Sequence, residues 1–222
     1  KDTFNVLCNL VLQKDLGITS PLWEACHGGM LGLRYLVSVR TDILFNDTTY
    51  LDGLITCVLL GLQESDDDVQ AMSAATLIPI ASELVSLRPQ TIPHLLEVIW
   101  NCLGDLKDDL SASIGNVMDL LAKLCAFPQV LDIIKATAET DPSKSFTMLV
   151  PRLCPFLRHS ITNVRTAVIR ALQTFLAIEG HGTKDWIDAK ILRLVFQNLL
   201  VEQNEQVLNM SLDLWNNLLD HS

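Results

Sequence analysis

The chain has 222 residues, 49% hydrophobic, 19% charged and 6% aromatic, with a net charge of −10. That much aliphatic surface excludes a disordered chain, and the shortage of aromatics favours helix-on-helix packing over a β-sandwich. The charge argues against direct nucleic-acid binding, which needs Lys and Arg to neutralise phosphates. An acidic surface suits a basic protein partner, although plain solubility is the simpler explanation.

In chain order, a first helix is predicted at about residues 2–13. A second opens in "SPLWEACHGGMLGLRYLVSVR" (20–40). The same alternation then recurs. Helices at about 48–63, 90–104, 145–158 and 186–202 are followed by "ESDDDVQAMSAATLIPIASEL" (64–84), "KDDLSASIGNVMDLLAKLC" (107–125), "RHSITNVRTAVIRALQTFLAI" (158–178) and "NEQVLNMSLDLWNNLLD" (204–220). Each quoted stretch starts with polar or acidic residues that can cap a helix. Each continues with apolar residues three and four apart. Val69, Met72, Leu77, Ile80 and Leu84 trace one such face; Val164, Val168, Leu172, Phe175 and Leu176 trace another.

Aligned on Trp23, Val69, Leu110, Val164 and Val207, the stretches are separated by 46, 41, 54 and 43 residues. Two helices every 40–47 residues is the spacing of HEAT and armadillo repeats. The fold expected is therefore all-α, a HEAT/armadillo-like α-solenoid of about five helical hairpins. Their approximate ranges are 1–40, 48–86, 88–126, 143–178 and 185–220. The long third interval is assigned to an insertion at 127–145, bounded by Pro128 and "TDPSKS". Pro79, Pro93, Pro151 and Pro155 predict kinks or first-turn positions. No stretch alternates with period two, so no strand is assigned. Stacking builds one continuous core and places the turns within the pairs along one edge. The chain begins and ends inside helical patterns, as a piece of a longer protein would.

Chemistry-bearing motifs are weak. Cys8, Cys26, Cys57, Cys102, Cys125 and Cys154 form no C-x-x-C and read as core residues in a reducing compartment. The longest apolar runs, such as "LITCVLLGL" (54–62), are too short to span a bilayer. Cys26 and His27 point about 100° apart on a helix, so they make no catalytic pair. Gly28 and Gly29 read as a close helix contact. "EGHGTK" (179–184) departs from the phosphate-loop pattern and reads as an inter-pair loop. "ESDDD" (64–68) is a helix cap or an acidic contact edge. "DLKDD" (105–109) falls at the equivalent turn of the next pair, so the two would form an acidic ridge.

"WEACHGGMLGLRYLVSVR" resembles the W-E-x-R-H-G-G-x-x-G-[IL]-[KR]-Y stretch of the B-TFIID TATA-box-binding-protein-associated factors, large nuclear ATPases. The likeness continues in order through "DDDVQAMSAATLIPIASELV", "DDLSASIGNVMDLLAKL" and "VPRLCPFLRHSITNVRTAVIRAL", over nearly the whole chain. Cys26 and Gln70 stand where Arg is usual, which puts an Asp–Arg ladder between repeats in doubt; Arg165 keeps its cation.

The resemblance implies a nuclear helical arm that grips the TATA-box-binding protein at its convex, basic side. A Swi/Snf-type motor elsewhere, using ATP and magnesium, removes that protein from promoter DNA. This segment would carry no cofactor, catalysis, membrane contact or small-molecule substrate, and would meet DNA only indirectly. The residues implied at the contact are Glu64, Asp66, Asp67, Asp108 and Asp109, with Arg158 and His159 in the fourth turn. A generic HEAT adaptor, or a spacer without partner contact, is the alternative.

Overall fold

A computed structural model describes residues 2–13, 22–104, 113–180 and 182–221. Among them there is no strand. The helices run α1 (Asp2–Leu12), α2 (Trp23–Val39), α3 (Thr41–Asn46), α4 (Thr48–Leu62), α5 (Asp67–Leu77), α6 (Ala81–Leu87), α7 (Ile92–Gly104), α8 (Ser113–Cys125), α9 (Pro128–Thr140), α10 (Phe146–Leu149), α11 (Thr162–Ala177), α12 (Ala189–Val201) and α13 (Glu205–Leu219).

Local chemistry sets several starts. The side chains of Asp47, Asp66, Asp188 and Asn204 each accept from a backbone N–H in the first turn of α4, α5, α12 and α13, satisfying donors that the helix leaves open. The apolar periodicity then selects the buried face. In α11 it is Val164, Val168, Leu172, Phe175 and Leu176, with Ala167 and Ala171 between them.

The second helices α2, α5, α8, α11 and α13 pack each on the next. The first-helix layer passes from α1 to α4, α7, the 3₁₀ stretch Val150–Arg158 and α12. One apolar cluster runs from Phe4 to Leu218 between the layers, as an all-α HEAT/armadillo-like solenoid requires.

Prolines modify the pattern in distinct ways. Pro93 sits in the first turn of α7, where no intrahelical donor is lost. Pro79 lies in a 3₁₀ turn, Ile78–Ile80, that separates α5 from α6. Pro151 and Pro155 convert most of the anticipated 145–158 helix into a nine-residue 3₁₀ helix preceded by the single turn α10. Two missing donors four residues apart prevent the α ladder from closing.

The inserted segment is itself structured. Pro128 opens α9, Val130 and Ile134 are buried, and the helix packs against α7 and α8. Asp141 then accepts from the Ser143 N–H to start the 3₁₀ turn Pro142–Lys144. The short α3 between the first two pairs has no counterpart in the sequence reading. Asp67–Leu87, 21 residues containing an 18-residue window of mean hydropathy 1.2, is long and apolar enough to cross a bilayer, which no single apolar run suggested; half of that window is buried inside the array.

Candidate functional site

Among the described residues, four cross-pair hydrogen bonds join the ends of helices that flank the turns, along one edge. The Cys102 thiol at the end of α7 donates to the Leu62 carbonyl at the end of α4 (3.1 Å). The Ser113 hydroxyl opening α8 donates to Gln70 Oε1 in α5 (3.2 Å). Arg165 in α11 donates to Glu202, in the turn between α12 and α13 (2.8 and 3.1 Å). The first turn is closed by Gln13, whose side chain exchanges two 3.0 Å bonds with the Leu22 backbone.

The second turn holds the acidic run, and its members do different jobs. Asp66 Oδ1 accepts from the N–H groups of Asp68 (3.1 Å) and Val69 (3.0 Å), so this carboxylate is committed to capping α5. Asp67 and Asp68 are exposed at the start of α5. Asp67 also receives the Ser113 hydroxyl at 3.4 Å, a long contact. Glu64 is half-buried; its carbonyl accepts from Gln70 Nε2 (2.6 Å), and among the described residues no cation pairs with its carboxylate. Asp108 and Asp109 lie outside the described residues, so the second half of the ridge has no geometry here.

A column of side chains explains Glu64. Four residues after the N-cap positions Leu22, Asp66 and Ile161 stand Cys26, Gln70 and Arg165. Arg165 is the full rung. It donates to the carbonyls of His159 (2.9 Å) and Ser160 (3.1 Å) in its own turn and to Glu202 in the next. Gln70 makes a neutral version, donating to Glu64 in its own turn and accepting from Ser113 in the next pair.

Cys26 makes no such bridge. It is fully buried, and burial first, then the carboxylates of Glu64 and Asp66, push its thiol up to about 11. Glu64 and Glu202 both stand two residues before a capping residue, Asp66 and Asn204. Glu202 therefore receives its cation from the preceding pair, whereas Glu64 faces a thiol.

The fourth and fifth turns enclose a cleft of about 400 Å³ lined by Arg158, His159, Arg165, Glu202 and their neighbours. Arg158 is exposed and donates to Gln197 (3.1 Å). His159 is only 6% exposed, and its Nδ1 accepts from the Ile161 N–H (3.1 Å), which orders the turn. Glu202 was not singled out in the sequence. The signal available was its equivalence to Glu64. Asp68, within the quoted "ESDDD" but not named as a contact, is exposed like Asp67, whereas Glu64 and Asp66 are half-buried.

Motifs weighed as chemistry become architecture. His27 lies toward Trp23, ring centroids 6.3 Å apart, and not over Cys26. In the 179–184 loop, the Thr183 hydroxyl donates to the Gly180 carbonyl (2.8 Å), and Trp186 Nε1 donates to the Thr183 carbonyl (2.9 Å). Gly180 and Gly182 supply positive φ, while His181 lies outside the described residues. No group of His, Cys, Asp and Glu among the described residues is placed to hold a metal ion.

Burial also pushes the thiols of Cys125 and Cys154 up to about 12. Iodoacetamide at neutral pH should therefore modify half-buried Cys102 first and leave Cys26, Cys125 and Cys154 unlabelled until the array unfolds, as read by peptide mass mapping. Rapid native labelling of Cys26 would contradict this placement.

No family model matches the chain. It is 57% identical over 217 residues to TATA-binding protein-associated factor mot1 of Aspergillus fumigatus, covering 98% of this chain and 12% of that protein. It is 51% identical over 221 residues to the MOT1 protein of Saccharomyces cerevisiae, with the same coverage. Against human TATA-binding protein-associated factor 172 the identity is 36% over 220 residues, covering 98% and 11%.

Among solved structures it is similar to an engineered protein (TM-score 0.46, 18% identity, 96% and 98% coverage) and to a designed armadillo repeat protein (TM-score 0.41, 16% identity, 96% and 99% coverage). The chain thus spans about 12% of the length of the curated relatives named first. Over the segment it spans, the chain belongs to the family of the TATA-binding protein-associated factor Mot1.

Proposed function

We propose that this segment is a non-catalytic part of a nuclear helical scaffold that holds the TATA-binding protein, so that an ATPase elsewhere in the longer protein can remove it from promoter DNA. ATP and magnesium serve that motor; this segment uses neither. The relatives' names support association with the TATA-binding protein. The observation that carries direct contact is the second turn. There the carboxylates of Asp67 and Asp68 are exposed, and Glu64 lacks the cation that Glu202 receives at the equivalent position. A basic side chain from the partner fills that gap. The charges lie on an edge held by a continuous core, so the contact is built on a rigid support.

The test is titration of purified TATA-binding protein against the chain and its Asp67→Lys/Asp68→Lys variant at several salt concentrations. Reversal should weaken binding by about tenfold or more and flatten the salt dependence. Glu139→Lys on α9, away from the turn, is the control and should bind as the parent does. Equal affinity for the reversed and parent chains would refute contact through this rim.

A further inference from the structure

The stacking of pairs three and four does not need the inserted helix. α8 packs directly on α11, and α7 already reaches the Val150–Arg158 stretch. What α9 adds is a wall. Together with α7, the Pro142–Lys144 turn and α10 it encloses a groove of about 410 Å³ on the first-helix side of the array. Sites that bury a small ligand or a few anchoring side chains have this size.

The groove floor is apolar: Leu96, Trp100, Ile134 and Leu149 line it, each at most 8% exposed. Its rim is cationic on a chain of net charge −10. Lys144 Nζ reaches across to Glu97 Oε1 (3.4 Å), and His94 Nδ1 is 3.9 Å from the other oxygen of the same carboxylate. Glu97 is therefore already engaged by Lys144. Arg152 lies against Gly104, its Nη2 2.5 Å from where a Cβ would stand, and makes no ion pair with any described residue. Among the described lining residues, Lys144 and Arg152 outnumber the single carboxylate, so a basic occupant is repelled and an acidic one attracted. Lining residues on α7 run from Pro93 to Asn101, about 12 Å of helix at 1.5 Å per residue, long enough to seat a short helical segment by its apolar positions.

We propose that this groove docks an acidic peptide segment of another protein, seating a leucine- or phenylalanine-sized anchor against Trp100 and Ile134 and placing a carboxylate on Arg152 and Lys144. The site is independent of the acidic rim, and its ligand has the opposite charge.

The experiment is fluorescence anisotropy with a labelled synthetic peptide in which Leu and Phe recur every third or fourth position among Asp and Glu. A second peptide carries Lys and Arg in place of the acids. The acidic peptide should bind the chain and the basic one should not. Lys144→Glu/Arg152→Glu should weaken binding by at least about tenfold. Thr137→Trp, which fills the groove from half-buried α9, should abolish it, with helical circular dichroism preserved in both variants. Asp67→Lys/Asp68→Lys should leave peptide binding unchanged, which separates this site from the rim. Failure of the acidic peptide to bind, equal binding of the basic peptide, or affinity that survives either groove variant would overturn the proposal.

Discussion

Gly29→Ala should destabilise the first helical pair by about 1–3 kcal/mol, whereas Gly28→Ala, one residue earlier on α2, should stabilise it by about 0.5–1 kcal/mol. The contrast comes from the face each glycine occupies. A Cβ at position 29 would stand 2.7 Å from Val11 Cγ2, 2.9 Å from the Leu7 carbonyl oxygen and 3.1 Å from Leu10 Cβ. Val11 is fully buried, and the Leu7 oxygen belongs to the backbone of α1, so neither withdraws by a side-chain rotation. Relief requires α1 and α2 to separate, which opens the packing that Phe4, Cys8 and Val11 make. At position 28 a Cβ meets nothing within 4 Å, so alanine there only removes the conformational entropy that glycine loses in a helix. Gly32 is intermediate. Its Cβ would meet Leu7 Cδ2 at 2.4 Å, but that atom is the free end of a half-buried side chain. Urea midpoints of the single variants, with amide exchange in α1 as the local readout, decide the matter. Equal effects at 28 and 29 would mean that α1 does not approach α2 through Gly29.

That pair of glycines also marks how far the sequence could be read. "HGG" identified a helix contact, but the angular position that divides exposed Gly28 from buried Gly29 depends on where α1 lies. The array itself was legible because apolar residues three and four apart recur with a steady period, and burial follows that period in α5, α8 and α11. The prolines near 151 and 155 announced a disturbance without revealing its pitch. The insertion was visible as a lengthened interval, yet whether its apolar residues would face the core depended on surfaces of α7 and α8 distant in sequence. At the rim, charge was legible and engagement was not. Asp66, Asp67 and Asp68 are indistinguishable as letters, and only the N-cap geometry at Asp66 separates the residue that closes the helix from the two left exposed.

Removing the Glu202 carboxylate should cost about 3 kcal/mol at neutral pH, the low end for breaking a buried ion pair. The side chains of Arg165 and Glu202 are 15% and 3% exposed and bonded through two nitrogens, so the pair has little competition from water. The cost stays at the low end because the His159 and Ser160 carbonyls still hold the guanidinium. Burial alone would raise the Glu202 carboxyl above its ordinary value of 4.5. Hydrogen bonds from Arg165 and from the Asn204 and Gln203 N–H groups outweigh that and hold it lower. A lowered folded-state pKa contributes stability that is complete above the unfolded value and fades as pH falls through the folded one. Glu202→Gln should therefore separate from the parent at neutral pH and converge with it in the acid limb, below 4.5. Urea midpoints across that range are the measurement; curves that stay parallel would exclude the carboxylate as the source. The loss should also be local, since each pair holds only its neighbours. Amide exchange in α12 and α13 should accelerate before that in α5 and α8. Replacing both partners, Arg165→Met with Glu202→Leu, should recover most of the stability, because no buried charge is left without its counterpart. The second turn is the reverse case. There the preceding pair supplies a thiol in place of a guanidinium, and among the described residues no cation pairs with the Glu64 carboxylate.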